Sequence, residues 1–207
     1  MAKAKKKDDN LHDDYIVVND TEPWLQRDIN QEFANGDFFR IVMFYILHSP
    51  CKKGSYNPVK LESYGWKNPW HGKALKNLID LAAGFTEKTY FYAEAQKDFK
   101  ELWRRSGFND SFYDIQGVEM AVFTYVGESN PYLDLLHHVR NCLAHGRFTA
   151  QKHKNEYYIF MEDVKVEHGK LIVNARIILK RSTLTKWIDI FECKTEEARR
   201  HVSNRKA

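Results

Sequence analysis

Asn130-Pro131-Tyr132-Leu133-Asp134-Leu135-Leu136-His137-His138-Val139-Arg140-Asn141-Cys142-Leu143-Ala144-His145-Gly146 is the stretch from which the fold is read. Asn130 suits a helix N-cap, and Pro131 suits the first turn, where its missing N–H costs nothing. Gly146 suits the end. At about 100° per residue, Tyr132, Leu135, Leu136, Val139 and Leu143 form one stripe, the expected core face. Asp134, His138, Asn141 and His145 fall on the opposite side.

Upstream, further helical patterns are read near Thr21, after Asn35-Gly36, and over roughly 72 to 84, 86 to 105 and 112 to 127. Downstream of Gly146 the period changes to two. Tyr157 to Val166 is rich in strand formers, and Leu171, Val173, Ala175, Ile177 and Leu179 alternate across a turn at 167 to 170. This predicts a hairpin over about 156 to 180. A last helix follows, capped by Ser182 or Thr183, with Leu184, Trp187, Ile188 and Phe191 as its stripe. The expectation is a mainly α helical bundle with a two-stranded β-hairpin on its C-terminal side. Residues 15 to 205 form one domain behind a charged, disordered tail over 1 to 14, and 194 to 207 read as a polar, basic end.

Composition agrees with a globular chain. With 13 Phe, 11 Tyr and 5 Trp in 207 residues, disorder is excluded for the bulk of the sequence. No run approaches the roughly 20 apolar residues that a membrane span needs, and no secretory leader is expected. Three cysteines, with no Cys-x-x-Cys pair, argue against a disulfide framework and for a reducing, cytoplasmic location. The net charge of +4 permits a nucleic-acid partner. That charge is unevenly spread. The N-terminal tail sums to zero, while the 49 to 71 segment and the 194 to 207 end each carry +3, leaving −2 for the rest.

Arg140, Asn141 and His145 place a permanent cation, an amide and an imidazole away from the apolar stripe of one helix. These groups suit RNA cleavage without a metal. Histidine exchanges protons near neutral pH, and arginine matches phosphate oxygens in a fork. Arg140 lies about 140° round the helix from His145, so the two do not share a face within one chain.

Arg140-Asn141-Cys142-Leu143-Ala144-His145 resembles the signature of the HEPN superfamily, an Arg followed by a polar residue and, a few residues on, a His. The resemblance implies a helical bundle and a metal-independent endoribonuclease, a toxin or phage-defence effector, needing no cofactor. It implies a homodimer in which Arg140 and His145 of both copies form one composite site, assisted by Asn141, and it eases the 140° separation. An antitoxin or defence-system partner would accompany such a protein. HEPN toxins controlled by a nucleotidyltransferase often carry a Tyr two residues after the His. Arg147 stands there instead, so that control is not expected, and Arg147 becomes a phosphate-binding candidate. The alternative is a non-catalytic HEPN module that binds RNA or nucleotide.

Two other features bear on function. The Pro- and Gly-broken stretch from 49 to 71 interleaves Lys52, Lys53, Lys60 and Lys67 with Tyr56, Tyr64, Trp66 and Trp70. Either the lysines track an RNA backbone while the aromatics stack bases, or the aromatics cap the core and the lysines stay solvated. His137 and His138, beside Asp134 and His145, invite a metal reading. Adjacent residues point apart on a helix, however, and no metal is expected. Cys142 reads as a core thiol.

Overall fold

The hairpin expected over 156 to 180 forms, and it turns out to be part of a larger sheet. In a computed structural model that describes residues 15–18, 24–25, 36–108, 117–167 and 169–203, β4 (Glu156–Glu167) pairs antiparallel with β5 (Lys170–Lys180). On one side β4 is joined by β3 (Phe148–His153); on the other, β5 is joined by β2 (Met120–Thr124), which pairs parallel with β1 (Tyr90–Ala93). The sheet order is β1-β2-β5-β4-β3. The helices are α1 (Gly36–Met43), running into one π-helical turn over Phe44–His48, then α2 (Lys73–Ala83), α3 (Gln96–Ser106), α4 (Pro131–Ala144), α5 (Arg181–Glu192) and α6 (Thr195–Ser203).

The mainly α bundle is therefore corrected to a mixed α/β fold with a five-stranded sheet. The physical reason is that the sheet is covered on both faces. Ala121, Phe123, Ile159, Met161, Ile177 and Leu179 point into a core shared with α1, α2, α4 and α5. Their neighbours Met120, Val122, Tyr158, Phe160 and Ile178 point into a second core with Phe99, Trp103, Phe108 and Trp24. Successive side chains of a strand go to opposite faces, so a strand buried on both sides is a continuous apolar run without alternation. All five residues of β2 are buried. Such a run has no period to distinguish it from a helix.

The helix expected over 112 to 127 thus contains β2, and residues 109 to 116 lie outside those described. The one expected over 86 to 105 divides into β1 and α3. The basic end contains α6, whose Ala198 is buried. The 1 to 14 tail falls outside the described residues, as does the helix from Thr21 except for Trp24 and Leu25, which lie in a bend. α5 begins at Arg181 with no side-chain cap bond; Thr183 is buried and donates to the Ala82 carbonyl at 3.3 Å. Among the described residues, no helix is long and apolar enough to cross a membrane.

Candidate functional site

α4 has the ends its sequence predicts. Asn130 Oδ1 accepts from the backbone N–H groups of Tyr132 (3.0 Å) and Leu133 (3.2 Å). At the other end Gly146 adopts φ 65°. The Arg147 N–H reaches the Cys142 carbonyl at 2.8 Å and the Gly146 N–H reaches that of Leu143 at 3.4 Å, a Schellman closure. His145 is the C-cap residue and is exposed.

The faces of α4 differ from expectation. Asp134 and His138, assigned to the side away from the core, are fully buried, because that side lies against the sheet. Asp134 accepts from the backbone N–H groups of Val126 and Glu128 (both 3.1 Å) and from the Tyr92 hydroxyl (3.0 Å), which pins the turn after β2. His138 bridges two strands, with Nε2 donating to the Thr124 carbonyl at 2.8 Å and Nδ1 2.6 Å from Asp163 Oδ2. Asp163 sits at a register shift in β4. Asn141 donates to the same Asp163 oxygen at 3.4 Å, and its carbonyl accepts from Arg140 Nη1 at 3.0 Å. A chain of polar contacts therefore runs from the sheet to the Arg140 guanidinium.

Arg140 and Asn141 are half-buried, and Arg140 lies against Gly54. Gly54 has φ 85°, which favours glycine, and a Cβ there would stand 3.0 Å from the Arg140 guanidinium carbon, so a larger residue would also displace that guanidinium slightly. Arg147, the phosphate candidate, is tied inward: its Nε donates to the Glu162 carbonyl at 3.2 Å and its Nη2 pairs with the Glu162 carboxylate. Glu162 also holds Arg176 at 2.9 Å. Cys142 is buried, and burial pushes its thiol well up, as suits a core residue.

In the 49 to 71 segment, Lys52, Lys53, Lys60 and Lys67 are all exposed, while Trp66 is buried and Tyr64 and Trp70 pack against the core. Tyr56 alone of the four aromatics is open to solvent, at 90% exposure. Lys53 Nζ donates to the Val126 carbonyl at 2.9 Å. Lys52 and Lys60 line a cleft of about 460 Å³ together with Asn68, Trp70 and His71.

His137 does not join His138 and His145. It turns instead toward Cys51 and Glu128, and the potential ligand atoms of these three all lie within 4.8 Å of one another. Sequence reasoning misses this cluster, since no spacing connects Cys51 with α4. The one available sign is that His137 and Arg140 are three apart and so share a face.

No family model, curated protein or solved structure matches this chain.

Proposed function

We propose that the chain is a metal-independent endoribonuclease whose reacting groups are His145 and Arg140, with Asn141 holding the guanidinium. The observation that carries this reading is the way α4 is buried. Most of the helix is enclosed, and its last turn leaves His145 exposed, with Arg140 and Asn141 half-buried behind it. Neutral imidazole takes the proton of the ribose 2′-OH as that oxygen attacks the adjacent phosphorus. Arg140 balances the charge on the non-bridging oxygens, and an imidazolium returns a proton to the departing 5′-oxygen. The products are a 2′,3′-cyclic phosphate and a 5′-hydroxyl.

A second copy of the chain would supply the second imidazole, meeting the first at the exposed end of α4 rather than along its buried length. Because the sheet-containing fold departs from the bundle that the HEPN resemblance implies, the proposal rests on the chemistry of the motif. The role as a toxin or phage-defence effector, with an antitoxin or defence-system partner, rests on the resemblance alone.

The test is incubation of the purified chain with RNA in EDTA. Cyclic-phosphate ends should appear, and His145→Ala and Arg140→Ala should each lower the rate by at least about 100-fold. Cleavage that survives both substitutions, or that needs a divalent ion, refutes the mechanism. RNA bound without turnover would make the site a recognition module instead.

A further inference from the structure

We infer that Cys51, Glu128 and His137 form a binding site for a transition-metal dication, with zinc the best match to their chemistry. One thiol, one carboxylate and one imidazole, brought from three separate segments, are the sulfur, oxygen and nitrogen donors that zinc accepts together. The cluster is internal: Cys51 has no exposed surface, and the side chains of Glu128 and His137 are 1% and 14% exposed.

His137 Nδ1 is the strongest pointer. It is buried, has no hydrogen-bond partner among the described residues, and stands 3.7 Å from Glu128 Oε1. That separation is too long for a hydrogen bond. It is close to the roughly 3.4 Å between two donors on one tetrahedral zinc with bonds of about 2.1 Å. A ring nitrogen facing a carboxylate across such a gap, with a thiol sulfur in the same cluster of ligand atoms within 4.8 Å of one another, is placed as a ligand is.

The surroundings hold the three side chains in position. Glu128 Oε1 and Oε2 accept the backbone N–H groups of Lys53 (2.8 Å) and Lys52 (3.2 Å), which leaves each oxygen a lone pair and fixes the carboxylate. Asp134 in turn holds the Glu128 backbone. Cys51 Sγ lies 3.3 Å from the Ser49 hydroxyl, to which the thiol donates, and 3.3 Å from the Ser55 hydroxyl, which can donate to a thiolate; the Lys53 carbonyl is 3.6 Å away. Burial raises the Cys51 thiol and lowers the His137 imidazole from their ordinary values, and the Arg140 charge is a smaller influence on both. A thiolate, a carboxylate and this guanidinium sum to −1, so one dication leaves the site at +1. The metal would clamp the 49 to 55 segment to the turn after β2 and to the flank of α4.

The full chain, stripped with a chelator and then dialysed, is titrated with Zn²⁺ by calorimetry and with Co²⁺ by absorption. One ion per chain is expected, with a thiolate-to-cobalt charge-transfer band. Cys51→Ser should abolish the band, and Cys193→Ser should leave it unchanged. His137→Gln and Glu128→Gln should weaken zinc binding by roughly 10- to 100-fold. Zinc at a fixed micromolar concentration should also raise the melting temperature of the wild type by more than that of His137→Gln. Binding that survives Cys51→Ser or His137→Gln at full strength, or no binding at micromolar zinc, overturns the site. If Cys51→Ser fails to fold, the wild-type band together with His137→Gln decides. RNA cleavage is assayed in EDTA, so the two proposals fail separately.

Discussion

His145 is exposed at the end of α4, touching little of what holds the fold together. His145→Ala should therefore change unfolding free energy by no more than about 0.5 kcal/mol while removing cleavage, separating chemistry from folding. Glu119 is the opposite kind of residue. Its carboxylate is buried, accepts the Lys180 backbone N–H at 2.9 Å, and lies 3.3 Å from Lys180 Nζ. Burial pushes its carboxyl above the ordinary range despite Thr183 and Lys180, which pull it down. A folded pKa above the unfolded one means that the stability Glu119 contributes is full below about pH 4.3 and is lost as the pH rises through the folded value. Glu119→Gln, which carries no charge, should gain melting temperature relative to wild type between about pH 4 and pH 7. Thermal melts at the two pH values check this; a constant difference between the proteins would contradict it. At this scale the sequence is readable where local rules act. Asn130, Gly146 and Cys142 are where capping and burial preferences put them, whereas the partners of His138 and Cys51 come from distant segments that no local spacing reveals.

Among the elements, β4 carries the heaviest buried charge. Glu162 holds Arg176 on one side and Arg147 on the other, and Arg176 is stacked between Trp24 and Trp103, 4.7 and 4.5 Å from their ring centres. The two arginines differ in exposure, with Arg176 at 2% and Arg147 at 28% of its side chain. Glu162→Ala should cost about 3–5 kcal/mol, because it removes the carboxylate from a buried guanidinium. Arg147→Ala should cost less, about 1.5–3 kcal/mol, because its guanidinium keeps 28% exposure and Glu162 retains Arg176. Urea unfolding measures both, and equal losses would show that the burial difference does not govern the pair. Element types are legible where a face meets solvent or a cap marks an end, as for α2, α4 and the β4–β5 hairpin. They are illegible for β1 and β2. Tyr90–Ala93 is only four residues long, and Met120–Thr124 is apolar throughout, so neither shows a strand period.

At the scale of the molecule, the 49 to 71 segment carries +3, as does the 194 to 207 end, and its four lysines are exposed beside the cleft at Lys52 and Lys60. If RNA is drawn in there, replacing Lys52, Lys60 and Lys67 together with Gln should weaken binding. It should also flatten the plot of log affinity against log salt by about 0.7 for each phosphate no longer neutralised. Filter binding across a salt series reads this slope, and an unchanged slope moves the RNA path elsewhere. Lys53 is left in place because its amine closes the Val126 turn.

The position of β5 sets a timetable. It lies at the centre of the sheet, between β2 and β4, yet follows every other strand among the described residues. As the polypeptide leaves the ribosome, β1 and β2 emerge with no strand to link them to β4; α4 can meet β4 through His138 and Asp163, but the pairing of β2 with β5 must wait for residues 175 to 178. Closure between such distant segments is slow and comes late. The joining of the β1–β2 pair to the β3–β4 pair is thus completed only after β5 has been made.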